Sequence, residues 1–441
     1  MDVKNNGNTK RIHLTTLGCS KNIYDSEILL GQLKSARAEI VDSPEEADVI
    51  ILNTCGFIDM AKQESIDAIV EAEQIKKEDP DKKVVVCGCL SERYLGELKG
   101  EMPLVDGFFG TEDYQNILSF LDFKAGLSPE FLYEKRLLTT PSHYAFLKIS
   151  EGCNHTCAFC AIPLMRGRHR SREISEIIEE AKLLAAQGVK ELIVISQDTT
   201  FYGLDLYRSQ KIVDLLRELE KIDGIQWIRL HYLYPTTVQD ELIDFMAESN
   251  KVVPYLDMPI QHITDNMLRH MKRGGKSGRI RDIFERARSK MPHVTLRTTF
   301  IVGHPGETDA DFAALKEFVE TFRFDRMGVF AYSHEENTGA FAMDDMDSEI
   351  KQARYNELMA VQQEISLDKN LAKVGQTFPV LIDEVDWAKF TAVGRTQGDS
   401  PEIDNEVIVE SLSRAVSVGK FVDIEIEDAT EYELYGKLRN G

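Results

Sequence analysis

Three cysteines lie within eight residues in the segment "GCNHTCAFCAIP" at 152–163. Cys153, Cys157 and Cys160, here called the loop set, have C-x3-C-x2-C spacing, with no fourth cysteine nearby. Three thiolates can ligate three irons of a 4Fe-4S cluster and leave the fourth iron open to a cosubstrate, because each iron needs one outside ligand. A structural zinc site is the alternative, and it needs a fourth protein ligand. Three histidines could supply it: His143, His155 and His169.

Three further cysteines each follow an apolar run that predicts a strand. Cys19, Cys55 and Cys89, here called the strand-end set, end the segments "HLTTLGC", "VIILNTC" and "VVVCGC". The carboxyl ends of parallel strands lie along one sheet edge, so these thiols could meet there and hold a second open-iron cluster. Buried, inert cysteine is the alternative. The seventh cysteine, Cys87, is expected to point into the core as a small hydrophobic residue.

Composition narrows the class of protein. An odd number of seven cysteines in 441 residues disfavours a disulfide framework and favours reduced thiols. The N-terminus "MDVKNNGNTK" has no apolar leader region, and no later run approaches the roughly 18 apolar residues of a membrane span. We therefore expect a cytoplasmic protein with no membrane partner. The net charge of −22 disfavours a phosphate backbone as partner and favours a basic one.

The first part of the chain alternates apolar runs with amphipathic stretches. This rhythm predicts an α/β domain with a parallel sheet. The predicted strands are 11–18, 47–54 and 82–88, and the predicted helices are 23–33 and 57–75.

A longer series of strand and helix signals occupies residues 144–335. Its six strands are too few for a complete eight-fold barrel and suit a partial (βα)6 barrel. The predicted strands are 144–150, 191–196, 226–231, 252–258, 294–302 and 326–331. Between the first two strands, the pattern predicts a helix with Ser171 as its N-cap and Gly188 as its stop.

The last part of the chain changes texture. Residues 347–372 predict one long helix, after which alternating segments at 378–385, 406–412 and 421–428 predict a small antiparallel β-barrel.

The loop set resembles a known signature. "CNHTCAFC", with Phe159 before the last cysteine, resembles the motif of radical S-adenosylmethionine enzymes. The resemblance implies that the three cysteines ligate a 4Fe-4S cluster whose open iron takes the amino and carboxylate groups of S-adenosylmethionine. It also implies that an electron from the cluster splits the sulfonium to give a 5'-deoxyadenosyl radical, and that the central fold is a partial (βα)6 barrel.

The whole chain from about 10 to 440 resembles the methylthiotransferase family, through "LGCSKN", "NTCGFI", "GCLSER" and the loop set in that order. The resemblance implies three domains: an N-terminal domain (10–130) whose strand-end set holds an auxiliary 4Fe-4S cluster with the sulfur donor, a radical S-adenosylmethionine domain (139–372) and a TRAM barrel (375–441). One S-adenosylmethionine would methylate the sulfur and a second would yield the radical. An external sulfur source and a low-potential electron donor such as flavodoxin or ferredoxin would also be needed.

Within that family, three segments resemble the branch that modifies a protein more than the branch that modifies an adenosine in transfer RNA. They are "SQDTTFYGLD", "IRLHYLYP" and "YLDMPIQH". The protein branch adds a methylthio group to the β-carbon of an aspartate in the twelfth protein of the small ribosomal subunit. Nothing in the sequence requires more than a monomer.

The charge of the predicted TRAM barrel points the same way. Residues 375–441 contain 14 Asp and Glu against 6 Lys and Arg, a net charge of −8. Because phosphate contact dominates RNA affinity, an acidic barrel suits a basic ribosomal protein better than RNA. Acidity that serves only solubility is the alternative.

Further site residues come from the resemblance, and no residue is assigned as acid, base or nucleophile. "FIVGHPGETDADF" (300–312) resembles the segment that lies against the adenine, with Gly303, Gly306 and Glu307 matching. His304 stands where relatives are expected to have an aromatic residue, and packing is its expected role.

Two groups of residues follow barrel strands and are expected to face the cavity. Gln197, Asp198 and Tyr202 would lie near the methionine part of the cosubstrate or near the target, with a hydrogen-bonded loop as the alternative. Gln261 and His262 are placed similarly.

The basic segment "MRGRHRSR" (165–172) directly follows the loop set. It could pair with the carboxylate of S-adenosylmethionine, with the target aspartate or with solvent.

Overall fold

A computed structural model of the chain describes residues 9–123, 133–410 and 416–439. Contacts divide these residues into two compact units. The first unit runs up to Thr139 and also contains Ala161–Arg168, and the second contains Thr140–Cys160 and the residues from His169 onward. The predicted domain limits at 130 and 441 lie outside the described residues.

The first unit contains a five-stranded parallel sheet in the order β2-β1-β3-β4-β5. The strands are β1 (Arg11–Thr16), β2 (Glu39–Ile40), β3 (Val49–Thr54), β4 (Lys83–Gly88) and β5 (Gly107–Phe108). The helices are α1 (Ser20–Ser35), α2 (Asp59–Glu78), α3 (Cys89–Arg93), α4 (Leu95–Glu101), α5 (Tyr114–Phe120) and α6 (Ile162–Arg166). The predicted parallel α/β class is confirmed.

The central strand β3 explains why this sheet is covered on both faces. All six of its residues are buried. Val49 and Ile51 pack into one hydrophobic cluster, whereas Ile50 and Leu52 pack into another, because successive side chains of a strand point to opposite faces.

The second unit contains the six predicted barrel strands in two three-stranded parallel sheets. An isolated parallel bridge pairs Ile228, in a strand of the first sheet, with Val252, which precedes a strand of the second sheet by three residues. The strands are β6 (Tyr144–Lys148), β9 (Glu191–Ile195), β10 (Trp227–Leu230), β11 (Tyr255–Asp257), β12 (Thr295–Val302) and β13 (Arg326–Ala331), and a short antiparallel pair consists of β7 (Ser150–Glu151) and β8 (Arg170–Ser171). The helices are α7 (Ile174–Ala186), α8 (Ile212–Leu219), α9 (Asp240–Glu248), α10 (Asp265–His270), α11 (Ser277–Lys290), α12 (Asp309–Phe322) and α13 (Ser348–Leu371).

The predicted N-cap of α7 was wrong. Ser171 belongs to β8, where its hydroxyl donates to Asp205 Oδ1 at 2.6 Å. Glu173 occupies the N-cap position without a side-chain hydrogen bond. The pairing of β7 with β8 keeps the chain extended through Ser171, so the helix begins later than the polar residue suggests.

The C-terminal strands form a closed barrel in the order β14-β15-β16-β18-β17. They are β14 (Thr377–Asp386), β15 (Thr391–Arg395), β16 (Glu406–Glu410), β17 (Phe421–Ala429) and β18 (Glu433–Leu438). In the described residues β16 pairs with β18 in parallel, and the other pairings are antiparallel as predicted. The last two residues of the predicted strand 406–412 lie outside the described residues.

The loop between β15 and β16, here called the plug loop (residues 396–405), packs against the amino-terminal ends of the (βα)6 barrel strands. Asp399 is 1% exposed and accepts a hydrogen bond from Arg326 Nε (2.9 Å), at the first residue of β13. Asp404 accepts from the hydroxyl of Tyr255 (2.6 Å), at the first residue of β11. The plug loop therefore packs on the starts of β11 and β13, at the barrel end opposite the cysteine-bearing loop.

The described helices include none that is both long enough and apolar enough to span a bilayer. Residues 1–8 of the polar N-terminal segment lie outside the described part of the chain.

Candidate functional site

The loop set lies beyond β6 and β7, on the side of the barrel where the parallel strands end. Cys157 is buried, and Cys153 and Cys160 are partly exposed. The Cys160 amide donates to the Cys157 carbonyl at 3.1 Å, and the Ala158 amide donates to the Met271 carbonyl at 2.8 Å. These backbone contacts fix the short loop that carries the three thiols.

A cation and a tyrosine lie beside Cys157, and a histidine ring stacks on that tyrosine. Arg273 Nη1 donates to Cys157 Sγ at 3.6 Å, and the Tyr234 hydroxyl lies 3.8 Å from the same sulfur. The Tyr234 ring stacks on His155, with 3.6 Å between centroids, and the Arg273 guanidinium lies 4.0 Å from the Tyr234 centroid. A neighbouring guanidinium stabilises a thiolate, which is the form that binds metal.

The donor set fits an iron-sulfur cluster. Burial raises the pKa of Cys153 to about 11, so without a metal this thiol keeps its proton, and a bound metal would have to displace that proton. In the described part of the chain, neither cysteine set brings three sulfurs within 4.8 Å of one another, the spacing required around a single ion. A cubane is larger than one ion and accepts more widely spaced thiolates.

The histidines proposed for a zinc site each have a polar partner for Nε2. The pairs are His143 with Asp383 Oδ1 (2.6 Å), His155 with Asp198 Oδ2 (2.6 Å) and His169 with Ser171 Oγ (3.1 Å). His143 also precedes the first residue of β6, at the end opposite the loop set. These placements favour iron-sulfur over zinc.

The strand-end set follows three neighbouring strands of the first unit. Cys19 lies between β1 and α1, Cys55 follows β3, and Cys89 begins α3 directly after β4. Because β1, β3 and β4 are adjacent and parallel, their ends lie on one sheet edge. The structure thus places the three thiols at one edge.

Gly18 and Asn22 draw these strand ends together. Gly18 has φ +92°, and a Cβ on it would lie 2.6 Å from Cys55 Cβ, so only glycine permits this approach. Asn22 Nδ2 donates to the Leu17 carbonyl (2.7 Å) and to the Thr54 carbonyl (3.1 Å). One buried amide therefore bridges the turns that precede Cys19 and Cys55.

Electrostatics also link the three thiols. Burial raises the pKa of Cys89 to about 12; the charge of Arg166 opposes this shift, and the Cys19 and Cys55 thiols add to it. Burial likewise raises the pKa of Cys55, with a further contribution from Cys19. The three thiols therefore lie within electrostatic range of one another at this sheet edge.

Cys87 lies apart from the strand-end set. It is 5% exposed and packs in the hydrophobic cluster that contains Leu29 and Val85. This placement agrees with the expected role of Cys87 in the core.

The residues after β9 have protein partners. Gln197 Nε2 donates to Glu151 Oε1 at 2.6 Å. Asp198 is 1% exposed, lies beside His155 and caps the 3-10 turn Thr199–Phe201. Tyr202 is fully buried, and its hydroxyl donates to the Arg172 carbonyl at 2.8 Å. Asp198 thus acts on the cysteine loop through His155.

The glycine-rich segment after β12 is packed by side chains from helices. A Cβ on Gly303 (φ +73°) would lie 2.4 Å from Lys351 Cγ, and a Cβ on Gly306 (φ +87°) would lie 3.0 Å from His270 Nδ1. Glu307 is buried and accepts from Arg354 Nη1 at 2.6 Å. The segment is therefore held in one conformation by close packing and a buried ion pair.

Phe159 contacts this segment through His304. The two rings are 6.5 Å apart with their planes nearly perpendicular, and His304 also lies 5.0 Å from the Tyr332 ring. His304 is fully buried, and burial lowers its pKa to about 4. A neutral packing role is therefore what the surroundings of His304 support.

Gln261 and His262 stabilise the barrel. The Gln261 backbone bridges to β12 with φ +71°, and His262 Nε2 lies 3.2 Å from Glu307 Oε1.

The basic segment 165–172 has two arginines with acidic partners in different units, and of these Arg166 is buried and Arg172 is partly buried. In the first unit Arg166 Nη1 donates to Asp25 Oδ2 at 2.9 Å. In the second unit Arg172 Nη1 donates to Glu180 Oε2 at 2.7 Å.

Three residues near the thiols carried no role in the sequence prediction: Asn22, Tyr234 and Arg273. Arg166 was considered only as part of the basic segment, and its partner Asp25 was not among the expected ones. Asn22 lies within "LGCSKN" and Arg166 within the basic segment, so proximity to the cysteines in sequence was an available signal for both. Arg273 comes 113 residues after Cys160, and only the fold reveals its contact with Cys157.

Comparisons with known families match three successive parts of the chain. "Uncharacterized protein family UPF0004" matches residues 11–110, "Radical SAM superfamily" matches 147–319 and "TRAM domain" matches 374–438.

Curated relatives match nearly the whole chain. A protein of Flavobacterium psychrophilum named ribosomal protein uS12 methylthiotransferase RimO is 50% identical over 97% of this chain and 98% of its own length. Proteins of the same name are 50% identical in Aquifex aeolicus, over 97% of both chains, and 46% identical in Bacteroides thetaiotaomicron, over 98% of this chain and 99% of that protein.

Solved structures share the fold at low identity. The radical S-adenosylmethionine methyltransferase TsrM from Kitasatospora setae has a TM-score of 0.56 at 14% identity, covering 86% of this chain and 79% of that one. The cobalamin-dependent S-adenosylmethionine radical enzyme OxsB has a TM-score of 0.51 at 11% identity, covering 81% and 56%. These similarities support the fold assignment.

Proposed function

The chain belongs to the RimO family of ribosomal protein uS12 methylthiotransferases, and from that premise we propose that it adds a methylthio group to the β-carbon of an aspartate in uS12. The observation that carries this proposal is identity of 46–50% to proteins of that name over almost the entire chain. The two cysteine sets and the acidic barrel support it.

Membership of the radical S-adenosylmethionine superfamily implies a 4Fe-4S cluster and S-adenosylmethionine. When bound, they supply the one-electron chemistry that breaks an unactivated C–H bond, which is beyond side-chain acids and bases. The loop set would hold this cluster through Cys153, Cys157 and Cys160.

The protein's own contribution is to position and shield this site. Backbone hydrogen bonds fix the cysteine loop, and Arg273 places a positive charge beside Cys157. At the opposite end of the barrel, the plug loop packs on the strand starts through buried ion pairs such as Arg326 with Asp399. Exclusion of water protects reactive intermediates from side reactions.

The strand-end set would hold the auxiliary 4Fe-4S cluster and the sulfur to be transferred. The convergence of Cys19, Cys55 and Cys89 at one sheet edge supports this assignment. An external sulfur source and a low-potential electron donor, such as flavodoxin or ferredoxin, complete the proposed system.

The cosubstrate would lie against residues at the carboxyl ends of the barrel strands. The proposed set is Phe159, Gln197, Asp198, Tyr202, Gly303, Gly306 and Glu307. Asp198, Tyr202 and Glu307 are buried and hydrogen-bonded to protein, so for these three we propose that they shape the pocket rather than contact the ligand.

The acidic C-terminal barrel would attract the substrate. With a net charge of −8 over residues 375–441, this barrel would attract a Lys- and Arg-rich ribosomal protein and repel an RNA backbone.

Mass spectrometry of uS12 from cells with and without this gene tests the proposal. We expect one aspartate to gain the mass of a methylthio group only when the gene is present. Unmodified uS12 in both samples, together with a gene-dependent methylthio group on transfer RNA, would overturn the substrate assignment and leave the reaction class intact.

A further inference from the structure

The buried Arg166 lies beside the strand-end set, although in the sequence it follows the loop set. Arg166 follows Cys160 by six residues, yet Ala161–Arg168 belongs to the first unit by its contacts. Helix α6 packs there through Ala161 and Met165, which form a hydrophobic cluster with Cys89. The Thr111 hydroxyl also donates to the Met165 carbonyl at 3.1 Å. Helix α6 is therefore fixed over Cys89.

The guanidinium of Arg166 is held by two side chains of α1. Its Nη1 donates to Asp25 Oδ2 at 2.9 Å, and its Nη2 donates to Asn22 Oδ1 at 2.6 Å. The Arg166 side chain is 2% exposed and the Asp25 side chain 6%. Asp25 is itself held by the Tyr114 hydroxyl at 3.0 Å. A buried, doubly held guanidinium has a fixed direction as well as a fixed charge.

This charge acts on two thiols of the strand-end set. Arg166 forms a side-chain hydrogen bond with the Cys89 thiol and lies within electrostatic range of the Cys55 thiol. Asn22 connects the same elements, because its Oδ1 accepts from Arg166 and lies 3.9 Å from Cys89 Sγ. Thiolates at Cys55 and Cys89 would therefore have a buried cation beside them.

We propose that Arg166 is the positioning residue of the auxiliary site: anchored by Asp25 and Asn22, its guanidinium offsets the negative charge of the thiolates and stabilises the reduced form of their cluster. This inference rests on the proposed function, which assigns that cluster to the strand-end set. Reduction adds one negative charge, and a fixed cation in a low-dielectric site favours the more negative state.

The test uses full-length protein in which Cys153, Cys157 and Cys160 are all replaced by alanine, so that reconstituted iron belongs to the strand-end set. This parent protein is compared with three variants that carry in addition R166Q, R166K or D25N. For each protein we measure the iron content and the midpoint potential of the cluster in an EPR-monitored reductive titration. R136Q is the matched control. Arg136 is buried in the first unit, and its Nε donates to Glu27 Oε2 at 2.8 Å. Glu27 lies on α1, the helix that also carries Asp25.

We expect R166Q to lower the midpoint potential and to weaken iron retention by about tenfold, a usual loss when a ligand's supporting partner is removed. R166K keeps the charge, so its potential should stay near that of the parent, whereas D25N removes an opposing charge and should raise it. R136Q should leave the potential unchanged.

Three outcomes count against the inference. If the midpoint potential of R166Q equals that of R136Q, Arg166 has only a structural role. If R166Q holds too little iron to titrate, a D25N potential at or below the parent value overturns the inference. A parent protein that binds no iron would remove the auxiliary cluster from the proposed function, and this inference with it.

Discussion

The two cysteine sets differ in how the chain brings them together. The loop set needs eight consecutive residues, and its geometry follows from C-x3-C-x2-C spacing and the hydrogen bonds of one loop. The strand-end set draws single residues from three strand ends spread over 71 residues and exists only when the sheet has formed. A local site can be recognised in an unfolded sequence, whereas a non-local one depends on every contact that aligns its strands.

The neighbouring charges differ as well. Arg273 donates directly to Cys157 of the loop set and contacts a ring that stacks on His155. Arg166 serves the strand-end set from a helix that follows the other set in sequence. The number of residues that separates a cation from a thiol is therefore a poor guide to which thiol it stabilises.

Removing each cysteine set separately should have the largest effect. It tests whether the loop set serves S-adenosylmethionine cleavage and the strand-end set serves methylthio transfer. Replacement of Cys153, Cys157 and Cys160 by alanine should abolish both S-adenosylmethionine cleavage and the methylthio product. Replacement of Cys19, Cys55 and Cys89 should abolish the product but leave cleavage, because the loop set is intact. Chromatography for 5'-deoxyadenosine and mass spectrometry for uS12 measure the two activities. Methylthio product formed without the strand-end cysteines would contradict the separate roles of the two cysteine sets.

Gly18→Ala should affect the strand-end set alone. Its new Cβ would lie 2.6 Å from Cys55 Cβ, and φ +92° is strained for alanine, so we expect a loss of about 1–3 kcal/mol in stability of the first unit. Iron retention by the strand-end set should fall while S-adenosylmethionine cleavage persists. Gly188→Ala is the control, because Gly188 has φ +102° and open space around it. Equal iron loss in both variants would attribute the effect to backbone strain.

Arg273→Gln should weaken the loop set. In protein that lacks the strand-end cysteines, we expect iron retention to fall by about tenfold through loss of the partner of Cys157. Arg279→Gln removes a partly exposed arginine paired with Asp240 and should have no such effect. Iron content after gel filtration distinguishes the two. Unchanged iron in the Arg273 variant would show that the loop alone holds the set.

His304→Phe should change the acid sensitivity of the second unit. His304 is buried with a pKa of about 4, below the usual 6.5, so the unfolded state binds a proton first as pH falls. Stability should therefore be lost progressively from about pH 6.5 to about pH 4, by about 2 kcal/mol at pH 5 for this residue. Urea unfolding of the apo-protein at pH 7 and pH 5 should show a smaller loss in the variant. An identical loss in both proteins would place the acid sensitivity elsewhere.

Sequence patterns predicted the features that depend on residues close together in the chain. The six barrel strands, the helix at 348–371 and the spacing of the loop set each follow from residues close together in the chain. Ser171 shows where sequence patterns fail. A polar residue shortly before a helix has the pattern of an N-cap, but Ser171 pairs with Ser150 in the β7–β8 pair, and the sequence pattern does not reveal that pairing. Arg166 and Arg273 could not be assigned to their thiols, because those contacts arise from folding.

The plug loop has a consequence for how such enzymes can evolve. Arg229 and Arg326 are buried in the (βα)6 barrel, and their partners include the Gln397 carbonyl and Asp399 from the plug loop. A C-terminal barrel that lacks Asp399 would leave Arg326 as a buried cation without its carboxylate, at a cost of about 3–5 kcal/mol. Arg229 would lose a hydrogen bond but keep its ion pair with Glu191. We expect a lineage to change its macromolecular partner by mutating the outer face of this barrel, because exchanging the whole barrel would destabilise its neighbour.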